Sequence, residues 1–336
     1  MLSLNNEPCC VCGETRSLLV QETTYPEHGY PGSFSLRRCG TCGLLFNSPR
    51  LDNHELAQLY GNNYYFFNRP DAAELNRIPP MYARTVALVG AEYEDNDRTS
   101  LDIGSGRGYL PVVLKRLGWD AHGVEISRDA ADYARQRFGL ETIFTGTIEQ
   151  FAAESQRQFP LVTAIDVIEH VPSPASFAQA LSKVVRPGGL AIIDTPNASA
   201  YNIRVDGTAW KGFNPFHIYL FNITNLRQLL AANGFEMEQA FSYNNVPNDR
   251  DGKPLKERLR AAAINAARSM GVIGPVARAY FKIKSIKRKQ QEVEPHLAEA
   301  VKQIRNSPAY LQTRDAEEAL ARDATGDNIV VIARKT

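Results

Sequence analysis

Leu101-Asp102-Ile103-Gly104-Ser105-Gly106-Arg107-Gly108 reads as a buried strand that ends in a glycine turn, and Glu125 lies seventeen residues beyond Gly108. A glycine turn lets the backbone approach a ligand closely, because no Cβ intervenes. Glu125 closes a second strand, His122-Gly123-Val124-Glu125, where an acid can accept two hydrogen bonds from a ribose diol. Together these features point to an adenosine-containing ligand. The spacing is G-x-G-x-G, with Asp102 ahead of it, and so departs from the G-x-G-x-x-G of dinucleotide sites. A second group of reactive residues is Asp166, Glu169 and His170, with His217 further along. Their i, i+3, i+4 spacing would place the first three on one side of a helical turn. A third is cysteine. All five cysteines fall in the first 42 residues. Cys9 and Cys12 form one C-x-x-C pair, and Cys39 and Cys42 another. Crowding of this kind in a reducing compartment suggests metal rather than disulfides, and four thiolates suit tetrahedral zinc. Residues 13–38 between the pairs exceed the usual ribbon spacing and require a longer hairpin. Cys10 is left over as a spare or an alternate ligand.

The elements that must carry these groups follow from pattern. From Leu101 onward the chain alternates strand and helix, which predicts a parallel sheet of βαβ units. Strands are expected at 99–103, 121–125, 141–145, 161–166, 189–194, 235–243 and 328–334. Helices are expected at 108–117, 128–138, 147–154, 175–184 and 223–233, the last opened by Asn222 and Thr224 and closed by Gly234. In an open parallel sheet, ligands bind beyond the carboxyl ends of the strands, where strand order reverses. Asp102, Gly104, Gly106, Glu125, Asp166 and His170 all map to that edge.

Three further stretches complete a pattern. Phe159 to Pro172 reads as a strand with an acidic end. Val184-Val185-Arg186-Pro187-Gly188-Gly189 is a proline-glycine turn that enters the strand ending at Asp194. Phe213-Asn214-Pro215-Phe216-His217-Ile218-Tyr219-Leu220-Phe221 precedes the last core helix. In this order, with the glycine turn and Glu125, the chain resembles the class I S-adenosylmethionine (SAM)-dependent methyltransferases over about residues 99–245, and again from Asn328 to Arg334. The resemblance implies a Rossmann-like α/β fold with a seven-stranded sheet. It also implies a SAM site built from Asp102, Gly104, Gly106, Glu125 and Ile126, with Asp166 close by. Thr147 stands where an acid is common beside adenine, so backbone groups around Ile148 take that place. Tyr64 and Tyr65 are expected to close over the cofactor as a lid, or else to anchor the ribbon to the core. Trp210 and Lys211 are expected to shape the acceptor pocket.

His217 and His170 are the candidate catalytic residues. In sugar C-methyltransferases with an N-terminal zinc ribbon the histidine matching His217 acts as a base. Their preceding Glu is Phe216 here. The acidic cluster is similar to the E-x-x-E-H plus distal His that binds a divalent ion in small-RNA 2′-O-methyltransferases and the ubiquinone-pathway O-methyltransferase. That likeness implies a second metal at Asp166, Glu169, His170 and His217. Base, ligand and packing roles for His217 all stay open. The ribbon-plus-core pairing makes a hydroxyl or ketosugar carbon of a sugar, nucleotide sugar or glycolipid the first expected acceptor. RNA or a quinone-like phenol is the second. A different class of protein would grip nucleic acid with a vestigial core, against which the intact glycines, Asp102 and Glu125 count.

The expected organisation is a ribbon at 1–50, a helical lid or linker at 51–98, the core at 99–245, a helical insertion at 246–325 and the last strand at 326–336. From Lys253 to Lys289 there are eleven Lys/Arg and one acid, a net +10 against +1 for the whole chain. Leu255, Leu259, Ala262, Ala266, Met270 and Ile273 recur there at helical spacing. Such a segment can lie on an anionic membrane or meet a lipid phosphate, or be a solvated face. RNA would use the same charges with strong salt dependence. No stretch resembles a signal peptide or approaches the ~20 apolar residues of a membrane span, so the expected location is the cytoplasm, with peripheral membrane contact through this segment.

Overall fold

The computed structural model describes residues 8–24, 33–48, 85, 93, 96–207, 210, 212–243 and 325–336. The expected lid with Tyr64 and Tyr65, Lys211 and the basic insertion lie outside these residues. No described helix is long and apolar enough to cross a membrane.

The strands and helices follow from where apolar residues and caps fall. β4 (Thr99–Ile103), β5 (Asp120–Glu125), β6 (Ile143–Thr145), β7 (Phe159–Ile165) and β8 (Val185–Pro196) form the parallel part of one sheet. Every residue of β7 is buried, as expected of a strand covered on both faces. Helices α1 (Tyr109–Arg116), α2 (Arg128–Phe138), α3 (Ile148–Glu154) and α4 (Pro174–Val184) connect these strands. Ser127 caps α2 and Gly139 ends it in a left-handed conformation. Thr147 and Gln150 make a reciprocal capping box on α3. Ser173 caps α4, with Pro174 just inside its start.

β10 (Phe235–Tyr243) and β11 (Asn328–Lys335) finish the sheet in the order β10-β11-β8-β7-β4-β5-β6. β11 runs antiparallel to both its neighbours. The chain builds outward from β4 through β5 and β6, then returns through β7 and β8 on the other side. The order therefore reverses between β4 and β7, and Asp102 and Asp166 stand at those two strand ends. β8 begins at Val185, earlier than expected. Pro187, Gly188 and Gly189 lie inside it at a register shift against β7, so the turn residues make a bulge rather than a boundary.

The cysteine segment makes a second sheet. β1 (Ser17–Thr24) and β2 (Ser33–Cys39) form the long hairpin that the cysteine spacing requires, and β3 (Leu45–Ser48) follows. After the short α5 (Tyr201–Asp206), β9 (Tyr219–Leu220) leaves the core to pair antiparallel with β3. The sheet order is β1-β2-β3-β9. Phe221, the next residue, bridges back to Asn197, and α6 (Ile223–Ala231) begins just beyond, capped by Asn222. Phe34, Cys39 and Leu44 belong to the same apolar cluster as Phe159, Ile168, Phe177 and Leu226, so ribbon and core share one interior.

Candidate active site

The glycine turn is fixed by the strands on either side of it. Gly104 N and Ser105 N both donate to Val124 O, at 2.8 and 3.0 Å. Gly104 has φ +69°, and a Cβ there would lie 2.5 Å from Val167 Cγ2. Only glycine lets the chain pass that point. The Glu125 carboxylate lies across the turn, accepting from Gly106 N at 2.7 Å and from Ser127 N at 2.8 Å. Burial pushes its pKa up, and those backbone N–H groups oppose the rise. Asp102 is also buried and accepts from Thr163 Oγ1 at 2.7 Å. Burial, aided by the Glu125 charge and opposed by Thr163, lifts its carboxyl to about 7. Ile126, beside Glu125, is 55% exposed, an open apolar face next to a hydrogen-bonding carboxylate. A Cβ on Gly106 would meet nothing within 4 Å. Close backbone, carboxylate and bare apolar face fit the ribose and adenine of an adenosine ligand.

A second group faces this edge from the turn after β7. Glu169 is fully buried. Its Oε2 accepts from Thr195 Oγ1 at 2.8 Å, while Oε1 has no hydrogen-bond partner and lies 3.7 Å from His170 Nε2. His170 Nδ1 is 2.8 Å from the Phe216 carbonyl, and His217 Nδ1 is 2.9 Å from that of Gly212. Carbonyls only accept, so both rings carry their proton on Nδ1, which leaves Nε2 as the acceptor nitrogen. The two rings meet edge to face, centroids 4.9 Å apart. One ligand atom from each of Glu169, His170 and His217 lies within 4.8 Å of the others. Burial, then the neighbouring His217, holds His170 down at about 3, and burial holds His217 at about 4. Burial, and then the Asp166 charge, pushes the Glu169 carboxyl well above its ordinary range. Two imidazole nitrogens and a buried carboxyl oxygen, which becomes a pure acceptor once its proton leaves, are a donor set suited to a divalent cation.

Other expected residues fall differently. Asp166 does not join the trio. It sits in a left-handed conformation at φ +53°, exposed at the end of β7, with its N–H on Asp194 O at 2.9 Å. Residues 168–170 form a turn rather than a helix, so the i, i+3, i+4 argument holds only for the adjacent pair Glu169 and His170. The surrounding protein, and then the Asp194 charge, push the Asp166 carboxyl upward. The Thr147 hydroxyl accepts from Gln150 N as a helix cap, and Ile148 is buried. Trp210 does not line an open pocket. It is 6% exposed, its Nε1 donates to Asp327 Oδ1 at 3.2 Å, and it packs with Leu36, Leu45, Ala200 and Leu220. Pattern reading passed over Thr163 and Thr195, the hydroxyls that hold Asp102 and Glu169. It also passed over Asn47, whose amide donates to the carbonyls of Asn214 and His217. No local signal marks such long-range partners.

The four expected cysteines converge. Cys9 and Cys42 Sγ are 3.5 Å apart, as are those of Cys12 and Cys39, and all four lie within 4.8 Å of one another. Sulfurs about 2.3 Å from a tetrahedral zinc are separated by about 3.8 Å. Each C-x-x-C turn closes on a glycine at φ +74°, Gly13 and Gly43, whose N–H bonds back to the first cysteine's carbonyl. Burial raises the Cys39 thiol, but N–H bonds from Cys42 and Thr41 outweigh it and bring the pKa to about 7. The arrangement fits a zinc ribbon. Cys10 instead packs against the core.

Comparison with known proteins agrees with this geometry. A family model described as "Methyltransferase domain" matches residues 76–240. A ubiquinone biosynthesis O-methyltransferase from Methylococcus capsulatus is 29% identical over 168 residues, covering 47% of this chain and 70% of the relative. One from Caulobacter sp. is 36% identical over 127 residues, covering 34% and 50%. One from Colwellia psychrerythraea is 35% identical over 111 residues, covering 31% and 44%. Beyond the first of these, the chain spans about half the length of the curated relatives it matches, or less. Among solved structures, a SAM-dependent methyltransferase from Archaeoglobus fulgidus aligns with TM-score 0.47 and 16% identity over 81% of this chain and all of that one. The fold, the glycine turn with its carboxylate and the family match together define a class I SAM-dependent methyltransferase domain. The methyltransferase-domain match spans residues 76–240, and the cysteine cluster lies on the N-terminal side of that stretch. The relatives' names concern ubiquinone O-methylation and lend no support to the sugar acceptor expected from the ribbon.

Proposed function

We propose that this domain transfers the methyl group of SAM to a hydroxyl oxygen of a phenol that carries a second oxygen beside it, in the manner of a catechol. The observation that carries the reading is Glu169 Oε1, a buried oxygen without a hydrogen-bond partner, 3.7 Å from His170 Nε2 and grouped with a ring nitrogen of His217. The trio would hold a divalent cation, which supplies Lewis acidity to adjacent acceptor oxygens and lowers the pKa of the attacking hydroxyl. A lone base at His217, held near pKa 4, would keep a proton poorly at neutral pH, so a ligand role fits this residue better. The names of the relatives favour a phenol over a saccharide.

On the donor side, Glu125 would accept from the ribose hydroxyls while Gly104 and Gly106 admit the amino-acid part of SAM. Asp102 would sit beneath that turn, Ile126 would cover the adenine, and backbone groups at Thr147 and Ile148 would border it. Asp166 would face the cofactor from the other strand end. Transfer is an in-line displacement from an activated sulfonium, so alignment is the main contribution of the protein. Cys9, Cys12, Cys39 and Cys42 would hold a structural zinc.

The test is transfer of labelled methyl from SAM to a catechol, a nucleotide sugar, a lipid-linked saccharide and RNA. Each is assayed with a chelator and after adding back Mg²⁺ or Mn²⁺, with cysteine-bound zinc checked by elemental analysis. The reading predicts transfer to the catechol that the chelator abolishes, that the cation restores, and that Glu169→Gln lacks. Transfer to a saccharide or RNA alone would replace the acceptor. Transfer indifferent to the chelator would return the trio to proton acceptance.

A further inference from the structure

His217 stands two residues before β9, and β9 belongs to the ribbon sheet rather than to the core. The segment carrying this histidine is therefore held partly by another unit of structure. The decisive residue on the ribbon side is Asn47, in β3 and only 3% exposed. Its Nδ2 donates to Asn214 O at 3.0 Å and to His217 O at 2.8 Å. Its backbone N–H donates to Ile218 O at 2.8 Å. One buried residue thus engages three carbonyls of the five-residue stretch 214–218. The Asn214 side chain accepts from the N–H groups of Phe216 and His217, at 3.0 and 3.1 Å, from inside the same turn. On the core side Phe216 O meets His170 Nδ1, and Tyr219 N donates to Glu169 O at 3.1 Å.

We infer that Asn47 is a positioning residue for methyl transfer, through which the cysteine ribbon fixes the backbone on which His217 is presented. The inference rests on the reading of His217 as part of the acceptor-side trio. The physical reason is the tautomer. His217 offers Nε2 only while its Nδ1–H stays on Gly212 O, and that needs the 212–218 turn to keep its shape. Of the turn's carbonyls, His217 O is held by the Asn47 amide, Asn214 O is shared between that amide and the N–H of His217 at 3.2 Å, and Ile218 O takes the Asn47 backbone N–H. Without the side-chain amide His217 O loses its donor and Asn214 O one of two, and the turn loosens, so the ring loses its fixed tautomer and place. A displacement of about 1 Å at a reacting group lowers turnover by as much as ~10²-fold. The ribbon then has a role in the reaction without touching SAM, whose proposed site at Gly104, Gly106 and Glu125 lies on other strands.

The experiment uses the full zinc-loaded chain and compares Asn47→Leu, which keeps the branched outline and removes the amide, with Asn225→Leu. Asn225 donates from α6 to Cys42 O at 3.0 Å, a ribbon-to-core bond that does not involve the His217 turn. The readouts are zinc per chain, SAM affinity by calorimetry, kcat and KM, and the ring ¹⁵N resonances of His217, assigned through His217→Gln. Asn47→Leu should keep its zinc, bind SAM within twofold of the parent, lose kcat by about 10- to 100-fold and show His217 as mixed tautomers. Asn225→Leu should keep both kcat and the single Nδ1–H tautomer. If Asn47→Leu does not fold, Asn47→Ala, smaller and without either side-chain donor, takes its place. Should no acceptor turn over with the parent protein, the acceptor reading fails, while the ring resonances still decide the role of Asn47. Unchanged His217 resonances in the Asn47 variant would overturn the inference. So would an equal loss of kcat in Asn225→Leu, because general loosening of the ribbon would then account for both.

Discussion

Replacing Asp102 with Asn should stabilise the ligand-free protein at pH 8 while weakening its hold on SAM. Asp102 is 5% exposed and is held by the Thr163 hydroxyl. Burial first, and the Glu125 charge second, lift its carboxyl from 3.8 to about 7, against the pull of Thr163. Between about pH 4 and 7 the folded chain keeps a proton that the unfolded chain has released. Stability therefore falls as pH rises through that window and levels off above it. A separation of about three pH units, at about 1.36 kcal/mol each, sets a ceiling of about 4 kcal/mol. Asn is neutral throughout and keeps an oxygen for Thr163. Its amide donors are new, and leaving a buried one unsatisfied costs about 1–3 kcal/mol. The net gain at pH 8 should then be about 1–3 kcal/mol, or about 5 °C in midpoint for a domain of this size. It should shrink to nothing or reverse near pH 4.5, where Asp102 is protonated too. The assay is thermal unfolding from pH 4.5 to 8.5 without SAM, followed by the fluorescence of the two buried tryptophans, Trp119 and Trp210. An offset between Asp102→Asn and the parent that does not grow with pH would refute the reasoning. The opposed effect on SAM affinity is the cost typical of a charged site kept for function.

Cys39→Ser should lose the zinc and the order of the ribbon while SAM affinity stays, because the ligands lie off the parallel sheet; elemental analysis and calorimetry check this, and a variant that keeps a full zinc would contradict it. His217→Gln should lower turnover by ~10²–10⁴ with little change in SAM binding, and full activity would return His217 to a packing role. Mn²⁺ affinity at the trio, read by electron paramagnetic resonance, should rise with pH by up to about tenfold per unit while Glu169 is still losing its proton, since the cation and the proton compete for one carboxylate. An affinity flat at every pH at which the protein stays folded would show that Glu169 is not a ligand.

Strand and helix positions in the core were largely legible because burial pattern and capping agree there. The strand at 99–103, the helix at 128–138 and the strand at 235–243 stand where apolar runs, Ser127, Gly139 and Gly234 place them. The glycine turn, Glu125 and the four cysteines were legible because their chemistry needs fixed local spacings. What was not legible depends on contacts distant in sequence. β9 is two residues long, too short to show alternation, and exists only because β3 pairs with it. α5 has no side-chain cap and gives no start signal. Asp166 was grouped with Glu169 by helical spacing, and the left-handed backbone at that residue breaks the helix that the spacing assumed. Trp210 is expected at the acceptor pocket from its place in the loop before His217, whereas its indole N–H meets Asp327, 117 residues away.

The most direct measurement of the central claim is calorimetric titration of SAM into the purified chain and into Glu125→Ala. Glu125 joins Gly106 N and Ser127 N in one charge-bearing network, and it is the proposed acceptor of the ribose hydroxyls. The account predicts one SAM per parent chain, and a loss of about 1.5–3 kcal/mol in the variant, as for hydrogen bonds to a charged group, or roughly 10- to 150-fold in affinity. No SAM binding by the parent, or equal affinity in Glu125→Ala, would contradict it.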